Sequence, residues 1–165
     1  MDEVTPVLAK SLRFLSFRPR SEKEIREYLL GKKKPQKKNF IPPSAEIIDA
    51  VVQKLKDMRF LNDREFAVSF VRSRTEYKPK AKAIIKMELK QKGIAAEIIE
   101  EVLQSRTENT DDKTIAKQLL IKRKKRYEGM EPNERYQKVG GFLARKGFSY
   151  DVIKSVIDEV FGKGV

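Results

Sequence analysis

Two pairs of adjacent carboxylates, Asp111-Asp112 and Glu100-Glu101, are the residues here that could hold magnesium and cleave a phosphodiester, because metal-dependent nucleases can work with carboxylate ligands alone. Neighbours on a helix point about 100° apart, however, and neither pair has a convergent partner that the spacing reveals. Helix capping for the first pair and a solvated face for the second are the better explanations. The sequence contains no cysteine and no histidine, which removes thiolate and imidazole metal sites, cysteine nucleophiles, histidine general bases and disulfides. Gly140-Gly141 lacks the Gly-Lys-Ser/Thr continuation of a phosphate-binding loop and reads as a place of close helix packing. No catalytic residue, metal or cofactor is expected.

What remains for chemistry is cationic. Lys and Arg number 37 against 24 Asp and Glu, a formal charge of +13 that attracts polyanions, nucleic acid first among them. A Lys-rich surface that merely keeps the protein soluble is the competing explanation. The cations gather in three clusters: a loop with Lys32, Lys33 and Lys34 that runs on to Lys38, a ladder of Lys78, Lys80, Lys82, Lys86 and Lys90, and the run Lys122-Arg123-Lys124-Lys125-Arg126. Lys82, Lys86 and Lys90 stand four residues apart and form one stripe on a helix. That stripe suits a phosphate backbone and an ordinary solvated face equally well. The five-residue run favours a polyanion, since adjacent like charges repel and little intrahelical pairing is available. No zinc-finger spacing, base-stacking motif or KH-type glycine pair is visible, so contact with DNA, single- or double-stranded, is expected to be sequence-independent.

The elements that must position these residues are helices. Apolar residues recur at helical spacing throughout, and no stretch sustains strand alternation. Three copies of a three-helix unit overlay, assigned to residues 1–60 with a basic loop at 31–41, to 61–106 and to 107–165, which gives an all-α, elongated and curved molecule. In the first helices, Leu8-Ala9 with Leu12 matches Phe66-Ala67 with Phe70 and Ile115-Ala116 with Leu119. In the second, Ile25 and Leu29 match Ile85 and Leu89, then Val139 and Leu143. In the third, Ile48 and Val51 match Ile99 and Val102, then Ile153 and Val156. Ser21 before Glu24 and Asn62 before Glu65 mark helix starts, and Gly93 and Gly147 mark helix ends.

Charge is unequal among these helices. Residues 44–57, 95–103 and 149–161 sum to −1, −3 and −2, so the rest carries +19. A net acidic third helix cannot serve as a recognition helix in the major groove, which counts against a stand-alone repressor-like DNA-binding protein, the alternative reading. The start Met1-Asp2-Glu3 lacks a basic leader and no run of about 18 apolar residues occurs, so a cytoplasmic protein without membrane contact is expected.

Specific residues resemble a known family. Ala9 through Leu15 with Arg18-Pro19-Arg20-Ser21-Glu22 and Glu24-Ile25, then Leu61-Asn62-Asp63 with Glu65-Phe66-Ala67, Val71 and Arg74, then Leu89, Lys92, Gly93 and Ile94, and finally Phe142-Leu143 with Arg145-Lys146-Gly147-Phe148-Ser149-Tyr150, together resemble the RecX family of bacterial recombination regulators. Between Arg74 and Ile84 the sequence has Lys78-Pro79-Lys80-Ala81-Lys82 where that family usually carries glycines. The resemblance implies a monomeric, non-enzymatic regulator that lodges in the groove of the RecA–DNA filament and suppresses ATP hydrolysis, strand exchange and co-protease activity. It adds Arg18, Arg20 and Arg74 to the candidate contacts.

Overall fold

The computed structural model describes residues 3–32, 40–104 and 110–162, and these form ten helices. Unit one holds α1 (Val4–Leu15), α2 (Glu22–Leu29) and α3 (Ala45–Asp57), and unit two holds α4 (Asp63–Glu76), α5 (Lys82–Gln91) and α6 (Ala96–Gln104). Unit three holds α7 (Asp112–Ile121), a one-turn α8 (Lys124–Tyr127), α9 (Pro132–Ala144) and α10 (Tyr150–Phe161). No strand occurs among the described residues. Lys33 and Lys34 of the expected basic loop lie outside them, and Lys32 is exposed at its start.

Local chemistry sets the helix ends. Ser21 accepts from the Glu24 N–H while Glu24 accepts from the Ser21 N–H, a complete capping box. Asn62 accepts from the N–H groups of Arg64 and Glu65, but the Glu65 carboxylate turns to the Asn62 side-chain amide, so the reciprocal half of that box is missing. Asp111 accepts from the Thr114 N–H at 2.6 Å, the capping role expected of it. Each second helix ends in the same way: Gly31, Gly93 and Gly147 take φ values of 75°, 78° and 88°, a region open to glycine at little steric cost. The residue after each glycine then donates back to the last turn (Lys32 to Glu27, Ile94 to Leu89, Phe148 to Leu143).

Every third helix packs on the first and second of its own unit, α3 on α1 and α2, α6 on α4 and α5, α10 on α7 and α9. This yields three separate cores. They centre on Ile25, Leu29 and Val51, on Ile85, Leu89 and Ile99, and on Val139, Leu143 and Val156. One expectation is corrected in α1. Ala9 is exposed, and Ser11 fills the small buried position held by Ala67 and Ala116 in the other units. Its hydroxyl donates to the Val7 carbonyl at 2.9 Å, so it packs as a small side chain with no polar group left open.

The units are joined by one junction used twice. At the start of α2 the Ser21 hydroxyl donates to the Lys92 carbonyl (2.7 Å) and the Glu22 N–H donates to the Asp63 carboxylate (2.8 Å). At the start of α5 the Ala81 N–H donates to the Lys146 carbonyl (3.0 Å) and the Lys82 N–H to Asp112 (2.9 Å). The N-terminus of one unit's second helix thus meets both the glycine-capped end of the next unit's second helix and the first residue of its first helix. Orphan N–H groups and a helix dipole are satisfied by the neighbouring unit. The contact is close: a Cβ on Gly93 would stand 2.8 Å from Lys23 Cβ, and one on Gly147 would stand 2.1 Å from Ile84 Cγ1.

Glu24 reinforces the first junction. Its carboxylate is buried, which alone would raise its pKa, yet hydrogen bonds from Arg18 (2.8 Å) and Lys92 (3.1 Å) and from the Ser21 backbone bring it down to about 2. Because the folded value lies below the unfolded one, this stabilisation is fully present above about pH 4.5 and is lost as the pH falls toward 2. Wild-type protein should therefore lose on the order of 2 kcal/mol through this group over that interval, whereas Glu24→Gln, weaker at neutral pH, should show a flatter melting profile there. Gly147→Ala should cost about 2–4 kcal/mol in urea denaturation, since it adds strain at positive φ and a clash with Ile84. Gly129→Ala, with nothing within 4 Å of the added carbon, should cost less than about 0.5 kcal/mol.

Candidate nucleic-acid interface

Part of the third helices' acidic surface is taken up by ion pairs. Asp49 pairs with Arg26 of α2 at 2.6 Å, Glu101 with Arg64 of α4, Glu100 with Lys86 of α5, and Glu159 with Lys113 and Lys117 of α7. Acids of each third helix are drawn onto cations of the first or second helix of their own unit. The sidedness expected from the charge sums is thereby reduced.

This sorts the candidate contacts. Lys86 leaves the expected stripe for Glu100, whose carboxyl is held below the usual range by that hydrogen bond and by Lys82 and Lys90 nearby. Arg74 and Lys80 both grip Glu88, Arg74 at 2.7 Å, and lower its pKa against the effect of burial. Arg18 is engaged by Glu24 at 2.8 Å, and Lys124 reaches Glu128 at 3.6 Å. Lys78, Lys82, Lys90, Lys122, Lys125 and Arg126 are exposed and have no ion-pair partner among the described residues. A polyanion meets these six at no cost in broken pairs.

The basic run does not continue α7. The helix stops at Ile121, Lys122 and Arg123 turn, and α8 begins at Lys124. The turn carries Tyr127 into the core, where it is 4% exposed, and lays the Arg123 guanidinium over the Phe142 ring, 4.3 Å from its centroid. Lys146 approaches the same ring at 5.5 Å. Burial lowers the Lys146 pKa, and the charges of Arg123 and Lys80 lower it further. Lys80 of the ladder and Arg123 of the basic run, 43 residues apart in sequence, are thus both brought near Lys146 at the second junction.

Beside it lies a concavity of about 370 Å³ lined by Arg123, Arg126, Arg145, Lys138, Gly141 and Phe142. Gly141 belongs to this surface. A Cβ there would meet Arg145 Nη1 at 3.4 Å, and one on Gly140 would meet nothing closer than Ile153 at 3.9 Å, so the glycine pair is not demanded by close helix packing. Arg145 and Lys146 were not singled out as contact residues from the sequence, because their nearness to Arg123 depends on how α9 packs.

Asp112 receives the Lys82 N–H and Glu100 and Glu101 are ion-paired, which accounts for three of the four adjacent carboxylates as structural groups, Asp111 being the cap of α7. Among the described residues no group of three acids could hold a metal ion. Among the same residues no helix is long and apolar enough to cross a membrane.

Profiles of the RecX family match the chain three times, as its first three-helix domain at residues 8–37, its second at 62–103 and its third at 111–157. The Regulatory protein RecX of Bacillus subtilis (strain 168) is 34% identical over 161 residues, covering 96% of this chain and 56% of that protein. That of Geobacillus sp. (strain WCH70) is 36% identical over 156 residues, covering 94% and 54%. The chain thus spans a little over half the length of these curated relatives. Among solved structures, the crystal structure of RecX from Lactobacillus salivarius superposes with a TM-score of 0.75 at 28% identity, covering 96% of this chain and 97% of that one. With three matched domains in the order of its three units, and the same fold in a solved relative, the chain belongs to the RecX family.

Proposed function

We propose that this protein is a negative regulator of the RecA recombinase that binds in the groove of the RecA–DNA filament and inhibits its ATPase, strand-exchange and co-protease activities. The family resemblance supplies the partner. The observation that carries the reading is the twice-used junction: it sets three similar units in a row, each with its own core, and a row of similar surfaces is what a helical polymer of identical subunits can engage repeatedly. The protein acts by binding and carries out no bond-making step.

In this reading the second junction and unit three meet phosphate or acidic filament surface through Lys78, Lys82, Lys122, Lys125, Arg126 and Arg145. Binding energy from several such contacts falls steeply with salt, because each neutralised phosphate releases counterions. The third helices stay net acidic even though several of their acids pair within their own units, which leaves the stand-alone repressor with no helix suited to the major groove.

Titration into a RecA–single-stranded DNA ATPase assay should abolish turnover at a protein-to-RecA ratio well below one. Loss of turnover only when the protein is in large excess, and equally for any DNA-binding competitor, would reject filament binding. The double charge reversal Arg126→Glu/Arg145→Glu should weaken inhibition by about ten-fold or more at physiological salt while leaving thermal stability within a few degrees, and unchanged inhibition would remove this surface from the interface.

A further inference from the structure

Unit one carries a surface that the basic clusters do not include. Between the α1–α2 turn and the α3–α4 turn runs a groove of about 830 Å³ whose floor includes Leu12, Leu15 and Phe66 and whose edges carry Phe17, Phe60 and three arginines. Phe17 and Phe60 are 75% and 55% exposed, so packing within the chain leaves more than half of each residue open to solvent. Phe17 also walls a second hollow, of about 530 Å³, lined by Lys10, Arg13, Phe14 and Tyr28. Behind it Phe14 and Tyr28 are stacked, 3.8 Å apart and 9° from parallel, and the Arg20 guanidinium lies 3.8 Å above Phe14. The sequence shows no stacking motif because these rings come from separate stretches and meet through the fold.

The charge around the groove is one-sided. Residues 4–21 include Lys10, Arg13, Arg18 and Arg20 and no acid; Arg18 is held by Glu24, and Arg59 adds a further cation that has no ion-pair partner among the described residues. Glu65 is the one acid lining the groove. Arg59 also departs from the cap pattern of the other helix ends. It takes φ 59°, where Gly31, Gly93 and Gly147 stand in the second helices, and its strained conformation sets both Arg59 and the following Phe60 at the groove edge.

We infer that the groove between units one and two binds single-stranded nucleic acid, with unpaired bases lying on Phe17 and Phe60 and the backbone phosphates facing Arg20 and Arg59. An apolar floor offers nothing to a phosphate, and cations offer little to an apolar side chain. A ligand that presents flat apolar faces and anions at short, regular intervals satisfies both, which is how sequence-tolerant single-strand binders work. A duplex keeps its base faces covered and cannot use the rings. The inference rests on the nucleic-acid part of the proposed function and not on the recombinase part.

The test is fluorescence anisotropy with the whole chain and no recombinase, using labelled oligothymidylate of about 15 nucleotides and a duplex of the same length. Phe17→Ala/Phe60→Ala should weaken oligothymidylate binding by about ten-fold or more and duplex binding by less than about two-fold, and Phe17→Tyr/Phe60→Tyr should retain both. Arg59→Gly should leave the protein at least as stable to urea yet weaken oligothymidylate binding by about three-fold, a combination that a purely structural role does not produce. Equal losses on both DNAs, or none, would overturn the inference. So would binding of an acidic, phenylalanine-containing peptide at this groove with no oligothymidylate binding, which would make it a protein-docking surface. If neither DNA binds native protein, the nucleic-acid part of the proposed function fails as well; if both bind and the ring substitutions change nothing, this inference alone fails.

Discussion

The architecture depends on how the start of one unit's second helix is satisfied. Ser21 and Ala81 bond to the carbonyls of Lys92 and Lys146, and the N–H groups of Glu22 and Lys82 bond to Asp63 and Asp112. Each of those N–H groups would otherwise be an orphan of its own helix. Placing the partner in the next unit makes capping and assembly the same event. Gly93 and Gly147 serve it twice, by ending a helix at positive φ and by leaving room for Lys23 and Ile84 of the preceding unit. A thin three-helix core of this size gains little stability alone, so units linked by directed hydrogen bonds hold their order where a merged core would not form.

The same packing decides which charges remain available. A protein of net charge +13 could present a featureless positive surface. Here the third-helix acids take up Arg26, Arg64, Lys86, Lys113 and Lys117, while Lys78, Lys82, Lys90, Lys122, Lys125 and Arg126 have no ion-pair partner among the described residues. Ion pairs at exposed positions contribute little stability, so their larger effect is on where a polyanion finds cations not already engaged.

What could be read from the sequence followed from periodicity. Ile25 and Leu29, Ile85 and Leu89, and Val139 and Leu143 are all fully buried, as their four-residue spacing requires, and Ser21-Glu24 forms its box because that motif acts locally. Ser11 was hidden because α1 is apolar on several sides and a serine bonded to its own helix passes for a core residue. The break after Ile121 was hidden because nothing in Lys122–Arg126 announces that Tyr127 must reach the core. Long-range pairs such as Lys86 with Glu100, the meeting of Arg123, Lys80 and Lys146, and the ring surface of unit one are products of packing, and single-sequence spacing carries no sign of them.

The central claim is that a row of units joined by a repeated junction engages successive subunits of a nucleoprotein filament. Amide hydrogen exchange of this protein, free and bound to RecA on single-stranded DNA, addresses it directly. Slowed exchange on the outward faces of at least two units, including the turn at residues 78–82 and the segment 122–126, is the predicted result. Protection confined to one unit, or none beyond that produced by DNA alone, would contradict it.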